Sequence, residues 1–404
     1  MGTGSILQLM ATGIKDIYFT AHPEMNIFQY KYYRYVNFAN DLYNLHLNDT
    51  ASFGSQTYIK IPHYGHLLSK MYLHIKLPPL VPTSGKFASW SDSLGYCIFS
   101  KPIELQISGI VVDRIWPVAA DMLYELTTPS GTKAGLDKML CRGDMYRSSL
   151  YNANQTLDLF IPLDFWFTKK YVMPLPLLSM TSQDIQLNFY FNNFSDVINY
   201  DGVTPPNEVS ILESSLYCEY IFLDDIILKQ FQKQKHQYVI QQVIYNGDEI
   251  IPAGKNLFNT RIVFQNPCQE ILFACVDSLN YDTNNYFNYS STITNGPLIS
   301  EIALFLDGTH RYDHYLPEFI FRDFFPNNVH SIIPSKHMYT MPFAIKPEDI
   351  GQPTGSIDLG RFDEVILSLK MNQGNNDCRL YVFGICYNIV CIQDGMLFFE
   401  FMTQ

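Results

Sequence analysis

Apolar and polar residues alternate over short stretches along most of the chain, and turn residues separate the stretches. In the segment from Met71 to Leu77, the residues Met71, Leu73, Ile75 and Leu77 share one face, with Tyr72, His74 and Lys76 on the other. Ile185, Leu187 and Phe189 repeat the pattern. This spacing predicts β-strands over Thr57–Ile61, Lys70–Leu77, Ile103–Ile107, Ile185–Phe191, Leu216–Leu223, Tyr238–Tyr245, Arg261–Phe264, Glu270–Val276, Glu301–Leu306 and Arg379–Val390. The segment Phe343–Leu369 is punctuated by Pro347, Gly351, Pro353 and Gly355, and β-prone runs flank that shaped connection. Many short strands with Pro, Gly and Asn turns imply antiparallel sandwiches.

Helical spacing is rare. Pro117 suits a first helical position, and Ala119, Leu123 and Leu126 then fall on one side. A second helix is expected from Asp225, read as its cap, through Phe231. It lies between two strand-rich halves and marks a boundary near 223–235. The long polar-aromatic stretch Asn280–Asn295 reads as an exposed loop.

Composition sharpens this picture. The chain has 404 residues, enough for two or three domains. Charged residues are only 16% and aromatics 15%, with Tyr 28 and Phe 29 against Trp 3, which argues for ordered structure with much buried or interfacial aromatic surface. Lys+Arg 27 against Asp+Glu 39 leaves a net charge of −12, the wrong sign for direct nucleic-acid binding. The run of Lys229, Lys233 and Lys235 is expected to be a solvated helix face. No secretory signal opens the chain and no apolar run nears the roughly 18–20 residues of a membrane span. The 8 Cys, which include no C-x-x-C, therefore read as buried free thiols, and the sequons at Asn48, Asn154, Asn193 and Asn288 as chance patterns.

Candidate chemistry is thin. His63 with His66, and His310 with His314, have two-ligand spacing but no third ligand, so loop histidines are the expected reading. The acid pairs Asp224-Asp225 and Asp363-Glu364 would need burial to separate their roles, and neighbours on a strand point to opposite faces. Cys268 with Cys275, and Cys386 with Cys391, are formal disulfide candidates, with apolar core positions preferred. The opening Gly2-Thr3-Gly4-Ser5 lacks the lysine and preceding strand of a phosphate loop. Arg34, between Tyr33 and Tyr35, could stack on aromatics or meet phosphate, and a structural strand position is preferred. No G-x-S-x-G elbow occurs. No catalytic, metal or cofactor residue is assigned, no cofactor is expected, and the chain is not expected to be an enzyme.

Several stretches together carry a family resemblance. Leu7–Ala39, Tyr58–Pro78, Leu94–Ile115, Ile161–Phe191, Glu301–His314 and Phe343–Leu369 resemble, in order, the major capsid proteins of nucleocytoplasmic large DNA viruses of irido, phycodna and asfar type. The resemblance implies an all-β fold of two tandem eight-stranded jelly rolls with a few short helices. It implies an N-terminal arm over 1–23, a first roll over 24–223, a helical linker over 224–236 and a second roll over 237–404. The implied function is a structural major capsid protein that trimerises into pseudo-hexagonal capsomers and tiles the icosahedral shell of a large DNA virus. The alternatives are a minor capsid or scaffold protein on the same fold, a glycan-binding β-sandwich and a double jelly-roll hydrolase. The implied partners are the protein itself, neighbouring capsomers, and minor capsid and penton proteins, without direct nucleic acid. The arm would supply any contact with an inner membrane. The implied place is the virion capsid, assembled in host cytoplasm. The outer loops should be short, the interface residues stay unassigned, and Ala134–Met145 has no counterpart in the resemblance.

Overall fold

The computed structural model describes residues 2–48, 51–85, 87–143, 155–372 and 376–401. The chain divides into a unit spanning Met1–Asn37 and a unit spanning Phe38–Gln404. In the first, the short helices Thr3–Met10 and Ile17–Thr20 bury no residue. Tyr30, Tyr32, Tyr33 and Tyr35 are all exposed. Strand structure begins at Phe38, so the non-sheet segment runs past the expected limit at residue 23.

The larger unit holds two rolls. The strands of the first are β1 (Phe38–His46), β2 (Gln56–Ile61), β3 (Leu67–Leu77), β4 (Ala88–Trp90), β5 (Ile103–Ile107), β6 (Ile110–Ile115), β7 (Leu157–Pro162), β8 (Ile185–Tyr190), β9 (Ile198–Tyr200) and β10 (Glu213–Leu223). The strands of the second are β11 (His236–Ile251), β12 (Leu257–Arg261), β13 (Cys268–Asp277), β14 (Ile299–Leu306), β15 (Thr309–His310), β16 (Leu316–Pro317), β17 (Met338–Pro342), β18 (Val365–Met371), β19 (Cys378–Gln393) and β20 (Met396–Phe399).

Both rolls repeat one plan. In the first, a 4-stranded sheet β1-β10-β3-β7 faces a 4-stranded sheet β2-β8-β5-β6, and a small 2-stranded sheet pairs β4 with β9. In the second, β11-β19-β13-β17 faces β12-β18-β14-β15, and β20 and β16 enlarge these to 5-stranded sheets. All pairings between these strands are antiparallel. Even a turn recurs at the corresponding place. Ser108-Gly109 joins β5 to β6 and Asp307-Gly308 joins β14 to β15, each with both residues at positive φ, the two-residue geometry that matches strand twist.

The alternation in the sequence explains the packing. Met71, Leu73, Ile75 and Leu77 of β3 all lie in the first core, with Ile185, Leu187 and Phe189 of β8 opposite them. Ile271, Phe273 and Cys275 of β13 face Leu367 and Leu369 of β18 in the second. Gly384 of β19 is required there, because a Cβ would stand 2.6 Å from the Phe264 ring. One expected strand is displaced. Arg261–Phe264 overlaps β12 only at Arg261, since the ladder to β18 is made by the more polar residues Leu257–Arg261. Between the rolls runs the helix Asp225–Lys233, whose N-cap is Asp224 rather than the expected Asp225.

Candidate functional site: the junction between the two rolls

The residues that join the rolls begin with the helix Pro117–Thr127, which follows β6. Pro117 starts it, where a missing N–H costs nothing. Ala119, Met122 and Leu126 are buried against Leu272, Ala274 and Val276 of β13 and Phe383 and Ile385 of β19. The helix of one roll thus covers the outer face of the other roll's sheet. Burying a side chain such as Met122 or Leu126 contributes about 1.5–3 kcal/mol each.

The same helix carries two acids into this apolar contact, Asp121 and Glu125, with side chains only 0% and 2% exposed. Arg142 answers both, donating to Asp121 at 2.6 Å and to Glu125 through its other terminal nitrogen. The second roll contributes Lys336, 2.9 Å from Asp121, together with the Ser335 hydroxyl and the Tyr289 hydroxyl, which donate to Glu125 and Asp121. Burial alone would raise the Asp121 carboxyl, but Lys336 and Arg142 outweigh it and hold the group below its ordinary value. Burial likewise draws the Lys336 ammonium below its ordinary value despite Asp121. A charge network of this kind fixes relative position more than it adds stability, because desolvation consumes most of the attraction.

A second buried group lies close by. His330 donates or accepts at both ring nitrogens, 2.9 Å from Glu270 and 3.2 Å from Glu348. Burial opposes its protonation, but Glu270 and Glu348 prevail and push it up to about 9. Burial pushes the nearby Asp113 carboxyl up to about 7, against the pull of Lys169. These groups line a cleft of about 350 Å³ at the junction. A larger cleft of about 500 Å³ has aromatic walls, including Tyr96, Trp116, Tyr245 and Tyr381. Its Arg379 sits 4.3 Å over the Tyr281 ring and 3.6 Å from Asp248.

The stretch Asn280–Asn295 is not the exposed loop its polar content predicts. Phe287 and Tyr289 are buried, the amide of Asn284 donates to the Ser195 and Ile198 carbonyls, and the Tyr286 hydroxyl donates to the Asp196 carbonyl. It is a bracket by which the second roll grips the first. The shaped connection Phe343–Leu369 does the same through Asp349, 3.4 Å from Lys170. Its Gly355 is at φ +142, where a Cβ would stand 2.9 Å from the Phe343 carbonyl.

The other candidates disperse. His66 accepts from the Leu223 N–H, His63 is exposed, and His310 packs on Phe305 at 4.2 Å. Among the described residues, no three metal-binding side chains converge. Asp363 and Glu364 sit in the turn before β18 rather than on a strand, and both are exposed. All eight cysteines are buried and free. Cys268 and Cys275 share β13, and Cys386 and Cys391 share β19, so neither formal pair faces across strands; Cys268 instead stands opposite Cys386. Gly2 to Ser5 lead into a helix. Lys229 and Lys235 are exposed, Asn193 and Asn288 bond to neighbouring side chains, and Asn154 lies outside the described residues. Sequence reasoning missed the junction. Two acids four apart on an apolar helix were its visible signal, and Arg142 lay in the stretch without a counterpart.

Comparison with known proteins places these features. Residues 26–224 match the family described as major capsid protein N-terminus, and residues 228–397 the family described as large eukaryotic DNA virus major capsid protein. The major capsid protein of Pyramimonas orientalis virus is 25% identical over 97% of this chain and 98% of its own length. That of Paramecium bursaria Chlorella virus 1 is 22% identical over 91% and 87%. Among solved structures, the PBCV-1 virus capsid superposes with a TM-score of 0.81 at 19% identity, covering 94% of this chain and all of that one. The Faustovirus major capsid protein superposes at 0.73 and 13% identity, covering 96% and 97%.

Proposed function

Because the chain belongs to the major capsid protein family of large eukaryotic DNA viruses, we propose that it builds a viral shell by self-association, three copies forming one six-sided capsomer. The observation that carries the trimer is the repeated plan. Each chain supplies two rolls of one strand order, so three chains supply six similar sides. A block with six similar sides tiles a nearly flat lattice, and the rigid junction keeps each pair of sides at one angle.

The domain division follows the sheets: a segment without sheet before Phe38, a first roll through β10, the Asp225–Lys233 linker and a second roll from β11. The mechanism is geometric, and no step of it needs a reactive group. The segment Met1–Asn37, rich in exposed Tyr, Phe and Ile, contacts neighbouring capsomers or minor proteins beneath the shell. Assembly in the host cytoplasm, and contact with minor, penton or membrane components, extend this reading. Light scattering with electron microscopy of the purified protein tests it. A hexagonal outline near three times 46.6 kDa is expected, and a monomer at all concentrations would contradict it. Removing residues 1–20 should spare the trimer and weaken the lattice.

A further inference from the structure

The two rolls share a strand order but not a covering. In the second roll, the outer face of β11-β19-β13-β17 is closed by the Pro117–Thr127 helix, which lies between the sixth and seventh strands of the first roll. Leu272, Ala274, Val276, Phe383 and Ile385 are at most 3% exposed beneath it. The edge strand β11 is met there too, the Gln242 amide donating to the Val112 carbonyl of β6 at 2.7 Å.

The corresponding face of the first roll, on β1-β10-β3-β7, lies open. Lys70, Tyr72, Tyr217 and Glu219 occupy its positions and are half-buried, and Leu42 on the edge strand is 57% exposed. Leu42, Lys70, Tyr72 and Glu219, together with Tyr171, line a shallow groove of about 370 Å³. Among the described residues, β1 pairs only with β10, so its other edge is unpaired.

The second roll also has a helical segment between its sixth strand and β17. It spans 318–329, as a π-helical stretch Ile320–Phe324 continued by the α-helix Phe325–Val329. Phe321 and Phe325 hold it to its own roll through Tyr312. Phe319 and Phe324 face solvent, 56% and 50% exposed. We propose that Phe319 and Phe324 of one copy seat in the open groove of a second copy's first roll, at Leu42, Tyr72 and Tyr171. The junction inside the chain is thereby repeated between chains. It rests on the capsomer reading above and names the surfaces that reading leaves unassigned.

The chemistry fits the difference in covering. A face closed within its own chain is never exposed after folding, so the residues beneath the helix can be wholly apolar. A face that waits for a partner must stay soluble, and Tyr, Lys and Glu around one Leu suit such a surface. The contact is head-to-tail, helix to sheet, and such contacts close into rings when the turn per unit divides a circle. Two junctions per chain, one internal and one external, then close after three chains.

The test uses the full chain with Leu42→Lys and, separately, with Phe319→Lys and Phe324→Lys together. Tyr171→Lys is a second variant of the groove, placed outside the sheet. Circular dichroism checks that each is folded, and native mass spectrometry reads the assembly. Wild type should appear at three times 46.6 kDa and each variant at 46.6 kDa. Mixing the groove variant with the helix variant leaves one intact groove and one intact helix, so dimers should form and trimers should not. Folded variants that remain trimers would overturn the proposal while leaving the capsomer reading intact. Trimers lost only when residues 1–37 are removed would also overturn it, by assigning the groove to the N-terminal segment. A wild-type monomer would defeat the capsomer reading itself.

Discussion

The outer sheet face of the second roll is apolar and sealed under the Pro117–Thr127 helix, and that of the first carries Tyr, Lys and Glu around Leu42 and is open. The strand order beneath them is the same. The contrast is therefore not set by the strand order, and the proposed assembly accounts for it by position. One face completes the monomer, and the other is kept for a neighbour.

Four changes probe that contrast, in descending order of effect. Arg142→Met strips the cation from Asp121 and Glu125, both buried under the sealed face. Asp121 keeps Lys336 and Glu125 keeps Lys133, but losing the doubly bonded guanidinium from the buried pair should still cost about 4 kcal/mol, seen as a fall in the urea midpoint of the monomeric Phe319→Lys, Phe324→Lys background. An unchanged midpoint would mean the network is hydrated rather than buried. Next, Phe383→Ala empties a position that is 1% exposed in the sealed face and should cost about 3 kcal/mol in the same background.

The third concerns pH. His330 is held up to about 9 by Glu270 and Glu348, above its ordinary 6.5. A raised value means the folded state keeps a proton the unfolded state has released. The stabilisation is complete below about 6.5 and is lost as pH rises through about 9, roughly 3 kcal/mol by pH 10. His330→Gln should flatten that alkaline limb of the stability curve. A limb unaltered by the change would place its origin elsewhere. Smallest of all, Leu42→Ala on the open face should alter monomer stability by less than about 0.5 kcal/mol. A loss comparable to that of Phe383→Ala would erase the distinction between the faces.

How much of this the sequence disclosed differs by region. The strands β3, β5 and β8 were legible because each buries mainly one face, and burial writes itself as alternation, whereas β13, buried on both faces, was legible as a short apolar run. β1 was not legible as a strand, since only Tyr43 and Leu45 point to the core and the rest is exposed. The Pro117–Thr127 helix was visible by its spacing, but its target was not. Which apolar face meets it depends on β13 and β19, far along the chain. The polar stretch Asn280–Asn295 misled for a related reason. Its Asn284 is spent on carbonyls of the other roll and its Asn280 on carbonyls of its own segment, so polarity there marks satisfied contacts rather than solvent. The family resemblance supplied the pairing of rolls, which local pattern alone left as a guess.

Cryo-electron microscopy of the purified capsomer would show what covers the open sheet face. A closed ring of three chains is expected, in which segment 318–329 of each chain lies across the β1-β10-β3-β7 sheet of the next. A ring in which that sheet stays open to solvent, with the chains joined elsewhere, would contradict that arrangement.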